Sequence, residues 1–286
     1  MTTGSASTRS VGLVLARPAR LLGAEPFFME FIAGIEERLA EDDRSVLLHV
    51  VGTEDAEIAA YRRWAAGGVV DAVVVVNRTV DDHRPAVLRE MGLPALFVGE
   101  PDELAVPAVR SDDAGPVREA LAYLLELGHR RIARVTGPET LLHTRARTAA
   151  LLEGCARADV EPVVLEGDYS EESGAKLTAT LLDAAEPPTA ILYDNDVMAV
   201  AGLGVAKELG FAVPERLSLV AWDDSSLCRL ASPALTTMSV DVHQFGVTVA
   251  ESVLELVGGG DVAERWSPTA TLVPRASTAA PHQGRP

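Results

Sequence analysis

Between residues 11 and 223, short runs rich in Val, Ile, Leu and Ala recur, each separated from the next by a segment the size of one helix. They are VGLVLA (11–16), SVLLHV (45–50), VVDAVVVV (69–76), PALFVG (94–99), RIARVTG (131–137), PVVLEGD (162–168), TAILYD (189–194) and LSLVAWD (217–223). Strands this uniformly apolar are buried on both faces, and helix-sized crossovers pair them in parallel. Helical spacing fills the gaps near 27–42, 54–66, 82–91, 115–127, 145–158, 171–184 and 196–209. The pattern predicts an α/β chain with two doubly wound parallel-sheet subdomains, since this many strands over more than about 200 residues exceed one sheet.

Past Asp223 a turn with Pro233 leads to TTMSVD (236–241), a long helix from about 244 to 257, a GGGD turn and a last strand near 270–274. A tail that returns to a sheet after both domains look complete implies that the chain crosses between them more than once. The expected boundaries are a disordered leader at 1–9, an N-terminal subdomain at 10–110 plus 239–269, a C-terminal subdomain at 111–238 plus 270–279, and a disordered tail at 280–286. The Pro/Gly/Ala-rich stretch from Thr278 reads as disordered throughout.

The segment from Phe27 shows how helix and sheet should meet. Phe28, Phe31, Ile32, Ile35 and Leu39 fall on one helical stripe, with Glu30, Glu36, Glu37 and Arg38 opposite. Pro26 stands where a first helical turn tolerates proline. Phe27 lies off the stripe, free to point toward the carboxyl end of the preceding strand, where ligands bind in open parallel sheets.

Charge and composition exclude several classes. Asp and Glu number 42 against 25 Lys and Arg, a net charge of −17, which opposes a phosphate backbone; the chain is not expected to bind DNA by itself. Cys155 and Cys228 lie far apart without metal-ligand spacing, so buried thiols are expected rather than a disulfide or zinc site. No run approaches the roughly 18 apolar residues of a membrane span, and the leader lacks a secretory core, making the cytoplasm the default.

Catalytic signatures fail as well. There is no G-x-S-x-G, H-E-x-x-H, P-loop or post-strand G-x-G-x-x-G, and the six histidines show no metal spacing. No enzyme activity, cofactor or metal is expected. The acid pairs Asp42-Asp43, Asp81-Asp82 and Asp112-Asp113 read as turn residues and helix caps. By contrast Asn77, Asp168-Tyr169, Asn195-Asp196 and Asp223-Asp224 each follow a buried run. Each alone could be a cap. Together, with Phe27, Tyr169 and Trp222 nearby, they suit a polyhydroxylated ligand, because amides and carboxylates pair hydroxyls while aromatic faces cover a sugar ring.

The order and spacing of several longer segments resemble the effector-binding domain of the LacI/GalR family of transcription repressors, from about Arg9 to Thr278. They are EPFFMEFIAGIEERL (25–39), SDDAG (111–115), LELGHRRIARVTGP (125–138) with R-x-R at 145–147, YDNDVMAVAGLGVAKELGFAVPERLSLVAWDDS (193–225), SPALTTMSVDVHQFGVTVAESVLELV (232–257) and LVPRAST (272–278). The resemblance implies two periplasmic-binding-protein-like subdomains joined by three crossovers, a small effector such as a sugar in the cleft between them, and a homodimer. It places Phe27, Phe28, Asn77, His143, Arg147, Tyr169, Asn195, Trp222 and Asp223 at the effector. Asp223 would accept hydrogen bonds, Arg147 would donate a fork, Tyr169 would stack, and Asn77 and Asn195 would fix orientation.

Three features depart from the family pattern. Ala150 and Leu151 replace Gly and an aromatic after Arg147, Trp222 replaces Phe or Tyr, and His143 stands where relatives carry a small hydroxyl side chain, supplying a donor or a pH-sensitive group. Operator DNA is expected to be read through a helix-turn-helix head that is absent from this sequence. The alternative is a stand-alone sugar-binding protein of a transport system. The segment Val197–Leu209, apolar nearly all round and rich in small residues, is expected to need a partner chain for cover.

Overall fold

The computed structural model describes residues 9–18, 26–99 and 106–282. The chain runs through β1 (Ser10–Ala16), α1 (Pro26–Ala40), β2 (Ser45–Val51), α2 (Glu54–Gly67), β3 (Ala72–Val75), α3 (Arg84–Glu90), β4 (Ala95–Val98) and β5 (Ala108–Arg110). It continues through α4 (Ala114–Glu126), β6 (Ile132–Thr136), α5 (Leu142–Arg157), β7 (Val163–Glu166), α6 (Glu171–Leu182), β8 (Ala190–Tyr193), α7 (Asp196–Glu208), β9 (Ser218–Trp222), α8 (Ser226–Leu230) and β10 (Thr236–Ser239). α9 (Val242–Val257), β11 (Arg265–Trp266) and β12 (Thr271–Val273) follow. Two compact units result, Met1–Ser111 with Asp241–Pro268 and Asp112–Val240 with Thr269–Pro286, so the backbone passes from one to the other three times.

The fold is α/β with two doubly wound sheets. The first unit's sheet has the order β11-β5-β4-β3-β1-β2, with every pairing parallel. The second has β12-β10-β9-β8-β6-β7, parallel except where β12 runs antiparallel to β10. The central strands β3, β6, β8 and β9 are buried at every residue, as uniformly apolar runs require. In both sheets the chain first steps to one side and then to the other. That leaves a switch point between β1 and β3, and another between β6 and β8, where crevices open at the strands' carboxyl ends.

Small residues set the closest packing. A Cβ on Gly34 of α1 would lie 2.0 Å from the His243 carbonyl of α9, and one on Gly246 would lie 2.2 Å from the Phe31 carbonyl. The two helices therefore cross backbone to backbone, and any larger residue at either position would force them apart. Gly34 joins Phe28, Phe31, Ile35 and Leu39 on the buried face of α1, while Ile32 is only partly buried.

Several elements differ from expectation for local reasons. The run at 69–76 yields a strand only from Ala72, because Gly68 in left-handed conformation ends α2 and the Val69 amide bonds back to the Trp64 carbonyl. α5 begins at Leu142 rather than 145, since Leu141 enters it with no side-chain cap and so no sequence signal. β5, β11 and α8 are three, two and five residues long, too short for periodicity to register.

α7 is covered by its own unit on one side. A Cβ on Gly174 of α6 would approach the Met198 Cα to 2.6 Å, and one on Gly202 would meet the Tyr193 hydroxyl at 2.2 Å, so α6 and the sheet cover one side of α7, while Val200, Ala201 and Val205 stay partly exposed and Gly204 and Leu209 exposed. The stretch from Thr278 is not loose at its start. Thr278 Oγ1 lies 2.7 Å from the Tyr123 hydroxyl, and the Ala279 carbonyl pairs with His129 Nε2 at 3.0 Å. Residues 1–8 of the expected 1–9 leader and residues 283–286 lie outside the described residues, while Arg9 is held by Asp71 and Asp43. Both cysteines are free and buried. Among the described residues, no helix is long and apolar enough to cross a membrane.

Candidate functional site

In the second unit the switch point is organised by a buried ion pair. Arg134, inside the apolar β6, donates Nε and Nη2 to the two carboxylate oxygens of Asp194 just past β8, both at 2.8 Å. Asp194 also accepts from the Gly137 amide at 3.0 Å, and Arg134 Nη1 donates to Thr148 Oγ1 at 2.8 Å. A bidentate pair of this kind fixes two strand ends in one geometry.

Around that clamp stand the residues expected at the effector. Asn195 caps α7, its Oδ1 accepting from the Met198 amide at 2.9 Å while Nδ2 donates to the Tyr169 carbonyl at 3.0 Å. The cap reading is thus correct for Asn195, and the same side chain also holds Tyr169. Tyr169 has φ +68, a strained value for an aromatic residue, and its hydroxyl lies 2.8 Å from His143 Nε2 and 3.4 Å from Thr144 Oγ1. A Cβ on Gly137 would fall 2.1 Å from that hydroxyl, so only glycine leaves room for the ring.

Arg147 donates Nε and Nη2 to Asp113 Oδ1 at 2.9 and 2.7 Å. On its other side the guanidinium carbon sits 3.8 Å from the Trp222 ring centroid. Trp222 is 8% exposed and packs into the core with Val220 and Met238, so it serves as a platform for Arg147 rather than as an open ring for a ligand. Asp223 follows at the end of β9 with φ +67 and stays partly exposed.

Electrostatics revise the role expected of Asp223. Burial and the nearby Asp196 carboxylate push its pKa up to about 8, with Arg147 acting against them. Near neutral pH it holds a proton and can donate as well as accept, rather than acting as a charged acceptor. Burial, then the Arg147 charge, lowers His143 to about 4, so it is neutral, not a pH-sensitive group near neutrality. Burial and Asp194 raise Tyr169 to about 12. These are neutral hydrogen-bonding groups beside an ion pair that compensates itself.

The first unit supplies three of the expected residues. Phe27 is partly exposed at the start of α1, its centroid 5.3 Å from Phe28 in edge contact and 6.0 Å from Phe31 in a stack. Phe28 is 5% exposed beneath the Arg17 guanidinium, which lies 4.4 Å from its ring centroid, so the ring belongs to the core. Asn77 follows β3 with φ +51. Arg84 holds its turn, donating Nη1 to the Val76 carbonyl at 3.1 Å and Nη2 to the Asn77 carbonyl at 2.9 Å. Asp82 and Glu57 neutralise Arg84 from the other side, and Tyr61 donates to Glu57 at 2.6 Å.

Asp113, Arg134, Asp194 and Arg84 were not among the expected site residues. Asp112, not Asp113, caps α4, accepting from the Ala114 and Gly115 amides and leaving Asp113 for Arg147. Asp82, read as a cap, does accept from the Arg84 amide at the start of α3 at 3.0 Å, and it binds the Arg84 guanidinium as well. A lone charge inside an otherwise apolar strand, as in RIARVT, was the available signal, because a buried arginine requires a carboxylate. Among the described residues no group of three or more His, Cys, Asp or Glu is arranged to hold a metal ion.

Residues 121–278 match the periplasmic binding protein-like domain family. Over 258 residues the chain is 31% identical to the HTH-type transcriptional regulator CelR of Thermobifida fusca, covering 88% of this chain and 76% of that one. The chain belongs to the LacI family. Among solved structures, this LacI-family chain is similar to a LacI family transcriptional regulator from Bifidobacterium animalis, at TM-score 0.87 and 36% identity, covering 96% of this chain and 100% of that one. It is similar to CelR in complex with cellobiose at TM-score 0.85 and 30% identity, covering 95% and 85%. Similarity to a dimeric Lac repressor gives TM-score 0.85 at 27% identity, covering 96% and 100%. The LacI family is one of ligand-sensing transcriptional regulators, and this chain matches the ligand-binding domain type.

Proposed function

We propose that this chain senses a neutral sugar for a transcriptional repressor. The observation that carries the reading is the Arg147–Trp222 pair at the carboxyl ends of the second sheet, with the protonated Asp223 immediately after it. Protonated and neutral groups set in fixed geometry offer both donors and acceptors to hydroxyls without demanding a charge on the ligand. The complex of CelR with cellobiose supports a carbohydrate effector.

The protein works in the cytoplasm as a homodimer, a reading supported by the dimeric Lac repressor, and it performs no catalysis. Effector binding shifts the population of two arrangements of the repressor. DNA reading falls to a helix-turn-helix head of the kind named in its relatives, not to the strongly acidic residues described here.

A thermal-shift screen of neutral mono- and disaccharides, cellobiose included, tests this. A ligand that binds only the folded state raises the melting temperature in proportion to RT ln(1 + [L]/Kd). A saturable rise with at least one neutral sugar is expected. A response confined to sugar acids, phosphates or amines would contradict the reading.

A further inference from the structure

His143 sits in the first turn of α5 as the last link of a hydrogen-bond chain whose direction can be worked out from burial. Thr144 is fully buried, and the Tyr169 hydroxyl is the one partner at hydrogen-bonding distance from its Oγ1 among the described residues, at 3.4 Å. A buried hydroxyl hydrogen must find an acceptor, so Thr144 donates to Tyr169. The Tyr169 hydrogen is then free for its other neighbour, His143 Nε2 at 2.8 Å, and in that arrangement Nε2 is the bare, accepting nitrogen. A neutral imidazole carries its hydrogen on the other nitrogen. We propose that Thr144 and Tyr169 lock His143 in the Nδ1–H tautomer, making it a fixed donor that selects effectors presenting an acceptor oxygen at that point.

Two further contacts hold the lock in place. Asn195 ties the Tyr169 backbone in its left-handed conformation, and Gly137 admits the ring. The charges acting on His143 are Arg147 and Arg134 on one side and Asp113 and Asp194 on the other, and burial outweighs them in keeping the ring neutral. The small hydroxyl side chain expected at this position could rotate to donate or accept. A locked imidazole can only donate, so His143 trades adaptability for discrimination. The donor role rests on the sugar-sensing reading above, whereas the tautomer does not.

Nitrogen-15 NMR of histidine-labelled protein, without ligand, decides the lock. The expected spectrum shows Nδ1 protonated and Nε2 bare from pH 5.5 to pH 8, with Thr144→Val and Tyr169→Phe each admitting the other tautomer. An Nε2–H signal, or titration near pH 6.5, overturns it. Cellobiose and its monodeoxy and monodeoxyfluoro analogues then test the donor role by calorimetry. One hydroxyl should lose about ten-fold or more in affinity on deoxygenation, with partial recovery by fluorine, and both effects should vanish in His143→Phe. Equal deoxygenation losses in both proteins overturn the donor role while leaving the tautomer standing. Failure of cellobiose and every other neutral sugar to bind the parent protein overturns the sensing reading and the donor role with it.

Discussion

The guanidinium carbon of Arg147 sits 3.8 Å from the centroid of the Trp222 ring, and Nε and Nη2 of the same guanidinium are held by Asp113. The planar cation is thus fixed on two sides before any ligand arrives, so little rotamer entropy remains to be lost on binding. Arg147→Lys keeps the charge but loses both the stacking and the two-nitrogen grip on Asp113. Sugar affinity should fall by about ten-fold or more, with about 1 kcal/mol of stability lost through the weakened cation–π contact. Calorimetry and urea denaturation measure the two effects separately.

Gly137→Ala tests the placement of Tyr169. The added methyl would overlap the tyrosine hydroxyl, which must swing away and break its bond to His143. The expected outcome is loss of sugar binding with the fold retained by circular dichroism. Unchanged affinity would show that Tyr169 can move without consequence.

The ligand-free protein should show an unusual pH profile of stability. The Asp223 carboxyl keeps its proton up to about pH 8 when folded but releases it near 3.8 when unfolded, so the folded state binds more protons between those values. Stability from this group therefore falls as pH rises, by at most about 1.4 kcal/mol per unit. Asp196, also raised by burial, adds in the same direction. His143 works the other way. Its folded value of about 4 lies below the ordinary 6.5, so stability falls as pH drops through that window. The opposing slopes offset each other between pH 4 and 6.5, leaving a net loss from 6.5 to 8. Asp223→Asn should shrink that loss, and His143→Gln should extend a fall down toward pH 4. Urea midpoints at pH 5, 6.5 and 8 check both.

In the first unit, Arg84→Met would leave Glu57 without its buried cation, leave Asp82 with Arg78 alone at 3.8 Å, and release the carbonyls of Val76 and Asn77. Breaking one side of a buried ion pair costs about 3–5 kcal/mol. A denaturation midpoint shift of that size is expected, whereas a loss below about 1 kcal/mol would mean that the two carboxyls are protonated at no cost.

The alternation of apolar runs with helical segments made the two sheets legible, because burial on both faces leaves no charged residue to interrupt β3, β8 or β9. Pairs of residues far apart in sequence were not legible. Asp113 and Arg147 are 34 positions apart and Arg134 and Asp194 are 60 apart, and no periodicity connects them. Asp223 was visible as the residue after LSLVAW, but its protonation was not, since the shift depends on Asp196 and on enclosure that only the folded chain supplies. Trp222 was visible as an aromatic at a strand end, yet the face expected for a sugar is occupied by Arg147.

Isothermal titration of Asp223→Ala with the sugar that most raises the parent protein's melting temperature tests the central claim most directly. Removing the carboxyl takes away both the donor and the acceptor at the end of β9, and a hydrogen bond of this kind is worth about 0.5–1.5 kcal/mol before the cost of leaving ligand hydroxyls unpaired is added. The account predicts that binding becomes undetectable at ligand concentrations that saturate the parent, while circular dichroism shows the same folded protein. An affinity equal to the parent's would remove Asp223 from the site and contradict the placement of the effector at the carboxyl ends of the second sheet.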